Sequence, residues 1–306
     1  VPFEKFINIV KLGRLIAHGT ILVYLLGALF AVFVGATFDL VKFIIGYVIL
    51  FSAILAAVYT NNYNDVAIDR NATHTFFSGG SSILIDHPEL MKTTRSVAIG
   101  LYTTSILLGF VFTVVFSYPP TFFILILLGN LLGWCYTSPP IKLVYRGLGE
   151  LTTMVGAGFI IPGFAYFLVR GTIDVPFVLL SFPLMFLCLA LSLYLELPDR
   201  KADRLGQKCT LVVRRGEHLG FLLGVIFTAV VMLYFLFLGV VPLLPVSLNF
   251  YIITIISAIP MVVGAWSLRK YSINPQKLSW IVFRSATGIF LVFILINAYF
   301  LYLLIS

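Results

Sequence analysis

Apolar residues run through this chain in long blocks separated by short polar stretches. A hydropathy window of about 19 residues isolates nine blocks, at 16–37, 40–62, 93–117, 119–136, 149–169, 175–197, 217–239, 244–266 and 280–304. They are 18 to 25 residues long. At 1.5 Å per helical residue, that length crosses a hydrocarbon core of roughly 30 Å. The expected fold is all-α: a polytopic membrane protein with about nine transmembrane helices around a central cavity, as one domain over 1–306. The first block exceeds the core of a secretory signal and lacks a clear small-x-small cleavage site, so it counts as a span. Pro162, Pro183 and Pro260 fall inside spans and are expected to kink them.

Composition agrees. Of 306 residues, 60% are hydrophobic and 10% charged, whereas a soluble domain is about 25% charged. Mean hydropathy is +1.07. These values exclude a soluble enzyme, a disordered chain and a disulfide scaffold. Cys135, Cys188 and Cys209 have no CxxC or zinc-like spacing, so no disulfide framework or thiolate metal site is expected. The net charge of +8 reads as membrane topology, not nucleic-acid binding.

Counting alternate loops, with the adjoining span ends, puts 18 of the 20 Lys and Arg residues on one side; Lys42 and Arg170 are the exceptions. The positive-inside rule makes that side, with the N-terminus, cytoplasmic. After nine crossings the C-terminus is outside. Ten of the 12 acids are also on the cytoplasmic side, all but Asp39 and Asp174. The rule does not ask for acids, so their presence points to chemistry on that face.

Two motifs carry these acids. The second span ends Asn61-Asn62-Tyr63-Asn64-Asp65-Val66-Ala67-Ile68-Asp69-Arg70, and the sixth ends Glu196-Leu197-Pro198-Asp199-Arg200-Lys201-Ala202-Asp203-Arg204. Each contains D-x-x-x-D-R. Positions i and i+4 share a helix face, so each motif aims two carboxylates one way. Asn61 extends the first stripe by one turn, and Pro198 can start a short helix beyond span six. Paired like charges need compensation, and oxygen-only clusters suit Mg²⁺, which takes one or two carboxylates plus phosphate oxygens. A diphosphate of charge about −3 with four carboxylates gives about −7, of which two Mg²⁺ offset about 4. Arg70, Lys142, Arg200, Lys201 and Arg204 are at hand for the remainder. The plainer alternative is solvated loop charge, such as Asp199 paired with Arg204. Two copies at equivalent places on one side favour the diphosphate clamp. The spacing of the copies also suggests an internal repeat, 16–142 and 149–272, with the 280–304 helix added.

At these residues the chain resembles the UbiA superfamily of intramembrane prenyltransferases. The family's N-D-x-x-D-x-x-x-D motif corresponds to Asn61-Asn62-x-x-Asp65-x-x-x-Asp69, with Asn62 in place of the first Asp. The second motif matches Asp199 to Asp203, followed by Arg204-Leu205-Gly206-Gln207-Lys208. Tyr136-Thr137-Ser138-Pro139-Pro140-Ile141-Lys142 resembles the family's Y-x-x-P-P-x-K element. The resemblance implies that a prenyl diphosphate binds with Mg²⁺ between the motifs, held by Asn61, Asp65, Asp69, Asp199 and Asp203. Its tail would run among the helices. An allylic cation would form and be attacked by a lipophilic acceptor. Asn62 would contribute an amide to substrate binding. Tyr136 and Tyr194 are the aromatic candidates for facing the cation. Asp65 is the candidate for both metal binding and deprotonation of the acceptor. An aromatic quinone precursor is the first choice of acceptor; a glycerol-phosphate ether-lipid precursor, a haem and a chlorophyll-type ring are the others.

Other features are more ambiguous. The loop Phe76-Phe77-Ser78-Gly79-Gly80-Ser81-Ser82 reads as a turn before a phosphate-contacting lid. His74 and His87 read as surface histidines. His18 lies in the first span. Glu150 and Glu196 sit at span ends, as cavity-lining or interfacial acids. A cation-coupled transporter is the rival of another class, though its carboxylates should lie at midplane. A CDP-alcohol phosphotransferase lacks its D-x-x-D-G-x-x-A-R pattern here.

Overall fold

The computed structural model describes residues 2–13, 19–70, 72, 81–241, 243–244 and 248–306. His18, His74 and positions 76–80 of the glycine loop lie outside them. Among the described residues there are helices and turns but no strand. Besides the single turns Val66–Asp69 and Ile83–Asp86, the α-helices among these residues are α1 Pro2–Leu12, α2 Thr20–Phe33, α3 Leu40–Asn64, α4 Met91–Val115, α5 Pro120–Thr137, α6 Gly149–Arg170, α7 Val175–Glu196, α8 Arg200–Leu205, α9 Leu211–Arg215, α10 Glu217–Val240, α11 Phe250–Ile273 and α12 Leu278–Ile305.

Among the described residues, eight helices are long and apolar enough to cross a bilayer, and a ninth apolar helix, α2, has 14 residues. Eight of its residues are buried in the bundle, packed on α6 and α12. Contact with α6 is backbone to backbone: an added Cβ at Gly27 would run into the carbonyl of Pro162. The π-helical turn Gly156–Ile160 lies immediately before Pro162. Proline lacks the N–H that continues the α-helical ladder, and a wider turn there accommodates the loss.

The eighth span ends later than its hydropathy predicts, at Ile273 instead of 266. The extra turns carry Arg269 and Lys270. A cluster of rings and cations closes this end: Arg284 lies 3.4 Å from the Trp280 ring centroid and 5.0 Å from that of Trp266, and Lys270 Nζ lies 5.8 Å from Trp266. Charged heads on apolar stems sit over aromatic faces at a membrane boundary. The opposite end has its own small set. Asp39 caps α3 through Val41 and Lys42 N–H, Lys42 Nζ lies 5.3 Å from the Phe116 ring, and Arg170 pairs with Asp174 at 3.3 Å.

The helices are tied across the bundle by buried amides. Asn130 donates to Ser105 Oγ at 3.1 Å, and Asn297 donates to the Leu22 carbonyl at 2.9 Å. Such bonds replace the hydrophobic drive that lipid removes. Large apolar side chains remain on the outside, among them Ile255 and Val114, as a lipid-facing surface requires. Helix α1 falls below a span-length window. It presents Phe6 and Val10 outward, and its carbonyls at Ile9 and Leu12 accept from Tyr59 and Asn62 of α3.

Candidate active site

The two acid motifs meet at one end of the bundle. Helix α3 stops at Asn64, and Asp65 takes the bend after it; the single helical turn Val66–Asp69 follows. The first motif is therefore not one continuous helix. Even so, Asp69 N–H donates to the Asp65 carbonyl at 2.9 Å, which preserves the i,i+4 spacing. In the second motif Asp199 precedes α8 and Asp203 lies within it; Asp203 N–H donates to the Asp199 carbonyl at 2.8 Å.

Gly206 brings the two motifs into contact. A Cβ there would overlap the Ile68 side chain, so glycine lets the chain after α8 pack closely on the Val66–Asp69 turn. That chain is fixed on its other side by Cys209 N–H donating to the Val144 carbonyl at 3.2 Å and by Leu211 N–H donating to Glu150 Oε1.

A cavity of about 220 Å³ opens between the motifs, lined by Asn61, Asn62, Asp65, Asp69, Tyr136, Asp199, Asp203 and Lys208. Lys208 Nζ bridges the motifs, 2.9 Å from Asp65 Oδ2 and 3.0 Å from Asp203 Oδ1. Tyr145 OH donates to Asp65 Oδ1 at 3.0 Å. Burial alone would lower the Lys208 pKa, but Asp65 and Asp203 outweigh it and hold the ammonium above its usual value. Burial raises the Asp203 carboxyl above the ordinary range, and Lys208 offsets part of that rise. The Tyr145 phenol is pushed up by burial and by Asp65.

Below this head cavity lies an apolar chamber of about 360 Å³. Asp199, Asp203 and Lys208 close its upper end, and Val23, Cys188, Phe290 and Phe293 line its depth. A second apolar branch of about 290 Å³ runs between α3, α5 and α6 past Ala53, Ala57, Gly129 and Gly133. Tyr136 borders all three spaces.

The remaining sequence candidates fall into two groups. Asn61 Oδ1 accepts from Thr137 Oγ1 at 2.8 Å, and Asn62 donates to the Leu12 carbonyl at 3.0 Å; both still border the head cavity. The others lie elsewhere. Arg70, Lys201 and Arg204 are exposed. Arg200 pairs with Glu217 at 3.4 Å, and Glu217 also accepts from Tyr271. Lys142 has a left-handed backbone, and its Nζ lies 5.0 Å from the Tyr145 ring centroid. Tyr194 is fully buried against Phe221, 5.9 Å between ring centroids. None of these six lines the three spaces. A short helix points side chains all round, so only part of a basic cluster can face one cavity. Lys208 and Tyr145 fill the places that the expected cations do not. The Gly206-Gln207-Lys208 stretch was the available signal for the first; nothing in the sequence marked the second. His87 stays on the surface, 3.3 Å from Glu89.

The donors around the cavity are oxygens, as a hard divalent cation prefers. Among the described residues no three His, Cys, Asp or Glu side chains converge as a ready-made cage. Mg²⁺ takes one or two carboxylates and completes its shell with water and substrate phosphate.

Known proteins resemble the chain in sequence and in fold. The 1,4-dihydroxy-2-naphthoate octaprenyltransferase of Bacillus subtilis (strain 168) is 27% identical over 194 residues, 63% of this chain. The match spans 60% of that relative's length. A structure concerned with digeranylgeranylglyceryl phosphate synthase in membranes superposes with TM-score 0.61 at 16% identity, covering 95% of this chain and 98% of the other. A UbiA homologue from Archaeoglobus fulgidus bound to DMAPP and Mg²⁺ gives TM-score 0.62 at 14% identity, covering 92% and 98%. Residues 20–287 match the UbiA prenyltransferase family profile, which takes in both acid motifs and eight of the nine apolar helices whole, and the chain therefore belongs to that family.

Proposed function

We propose that this membrane protein transfers a prenyl chain from a prenyl diphosphate to a lipophilic acceptor with Mg²⁺, and that the acceptor is an aromatic quinone precursor. One observation carries the reading: four carboxylates and a lysine from two separate motifs share a cavity that opens onto an apolar chamber. A diphosphate head fits the first space and a hydrocarbon tail the second. The aromatic acceptor is supported by the naphthoate prenyltransferase relative.

Asp65, Asp69, Asp199 and Asp203, with Asn61, would hold Mg²⁺, which supplies stabilisation of charge on the leaving diphosphate. Lys208 adds a positive charge at the same place. In the free protein it keeps two buried carboxylates compatible. Tyr145 orients Asp65 from the other oxygen. Tyr136, at the junction of the spaces, is set to face the reacting carbon with its ring. The apolar walls exclude the water that would quench an allylic cation. The two halves of the proposed repeat each contribute one acid motif. The basic side of the chain, and with it the site, is assigned to the cytoplasm, and the C-terminus to the outside.

The test is incubation of purified protein with labelled prenyl diphosphates and a panel of acceptors, with Mg²⁺ or EDTA, and identification of products by mass. Prenylated aromatic product only with Mg²⁺ is expected. Absence of any product, with no Mg²⁺-dependent binding of geranylgeranyl diphosphate, would leave the transporter reading in its place.

A further inference from the structure

We propose that a pocket between α3, α4 and α5, separate from the reaction site, binds the phosphate of an anionic phospholipid, with Arg95 as its cation. The inference goes beyond the prenyl-transfer reading and stands without it.

The pocket has a volume of about 300 Å³, and Tyr63, Asn64, Arg95, Ile99, Trp134 and Ser138 are among its walls. None of its lining residues borders the head cavity, the chamber or the branch. It opens outward, since Arg95, Ile99 and Trp134 are all exposed. Arg95 lies near the start of α4, and Asn64 ends α3 beside the first acid motif. The pocket therefore begins at the charged end of the bundle. Ile99, one turn further along α4, continues it toward the hydrocarbon.

Arg95 has no counter-ion. Its guanidinium carbon lies 6.0 Å from the Tyr63 ring centroid, and among the described residues no carboxylate comes within ion-pair distance of it. An unpaired cation on a lipid-facing helix is costly unless an interfacial anion or water meets it. The guanidinium fork matches two oxygens of a phosphate. Ser138 Oγ accepts from Asn64 Nδ2 at 3.1 Å, which leaves the serine O–H to donate to a further oxygen. Tyr63 and Trp134 are rings of the kind that sit at headgroup depth, and Ile99 gives an acyl chain an apolar wall. Among the described residues no acid lines the pocket, so the ammonium of a zwitterionic headgroup would find no partner. Lys92, three residues before Arg95 and exposed on the same side of α4, adds positive charge nearby. Basic pockets between membrane helices favour lipids with net negative charge.

The test reads lipid contact at Trp134. The chain has three tryptophans, and Trp266→Phe with Trp280→Phe leaves Trp134 alone. The full chain is placed in phosphatidylcholine bilayers that contain phosphatidylglycerol or phosphatidylcholine brominated on the acyl chains, and quenching gives their relative affinity. Brominated phosphatidylglycerol is expected to be favoured by at least about fivefold, the worth of one basic residue at the surface. Arg95→Gln should bring the ratio to about one with helicity intact, whereas Arg284→Gln, in the remote Trp266–Trp280 cluster, should leave it unchanged. Excess inorganic phosphate should also leave it unchanged. An equal affinity for the two lipids in the parent, or a preference that survives Arg95→Gln, overturns the inference. Loss of the preference in Arg284→Gln would assign it to diffuse surface charge, and relief of quenching by phosphate would make the ligand a free anion; either also overturns it. If the double tryptophan variant does not fold, native mass spectrometry of the unaltered chain and Arg95→Gln gives the same decision: one fewer retained phosphatidylglycerol in the variant is expected, and equal retention refutes the site.

Discussion

Replacing Lys208 with methionine probes the electrostatics of the site directly. The side-chain volume is nearly kept, while the cation 2.9 Å from Asp65 and 3.0 Å from Asp203 is lost. Asp65 is 7% exposed and Asp203 6%, so water cannot replace it cheaply. Their facing oxygens lie at most about 6 Å apart, and at an effective dielectric of about 20 two such charges repel by about 3 kcal/mol. Deleting one partner of a buried ion pair typically costs about 3–5 kcal/mol, which agrees. The assay is thermal unfolding in detergent with EDTA, followed by tryptophan fluorescence. Lys208→Met is expected to lower Tm by roughly 5 °C. Mg²⁺ should then raise the Tm of the variant more than that of the wild type, because a divalent ion can take over the neutralising role. Equal stability without metal, or an equal rise with Mg²⁺, would refute the reasoning.

Asp65→Ala and Asp199→Ala are each expected to abolish turnover while the protein remains folded by circular dichroism; full activity in both would reject the clamp. Gly206→Val must displace the Ile68 side chain or the chain after α8, and a fall in Mg²⁺-dependent donor affinity of at least about tenfold is expected from misplacement of that order. Tyr136→Leu should keep donor binding but slow turnover by about 5- to 30-fold, the worth of one desolvated cation–π contact; unchanged kcat would remove Tyr136 from the reacting centre. For pH, burial raises the Asp203 carboxyl and Lys208 offsets part of the rise. A carboxyl raised on folding binds its proton more tightly in the folded state, so acid favours the fold here while removing the anion that the site needs. Donor binding should therefore fail at a pH above about 4, the ordinary aspartate value, with helicity intact; failure only below that value would contradict it.

The apolar blocks alone were enough to read a many-spanned helical bundle, because in hydrocarbon a long run of apolar residues has few alternatives to a helix. The pairing of Asp65 with Asp69 and of Asp199 with Asp203 was readable for a similar reason: i,i+4 spacing is local geometry. Even there the sequence misjudged detail, since Asp65 sits in a bend beyond α3. The basic residues were less legible. Arg70, Lys201 and Arg204 are as close in sequence to the aspartates as Lys208 is, yet they turn outward. Which of them faces inward depends on how α8 and the following loop dock on Ile68, and no local pattern states that. Tyr145 reaches Asp65 across 80 positions of sequence, a contact that only the packed bundle creates. Glu196 was visible as an acid at a span end, but not that it would stand in the chamber wall bonded to Ser192.

Sequence by itself determined that the chain crosses the membrane repeatedly and gathers most of its charges between the spans on one side, since both follow from transferring side chains between water and lipid. It also determined that two acid ladders exist. Only the tertiary structure decided that these ladders share a cavity, that Lys208 joins them, and that apolar space continues from it into the bundle. Those facts depend on glycine contacts, capped turns and helix crossings between segments far apart in sequence, where short-range periodicity carries no information.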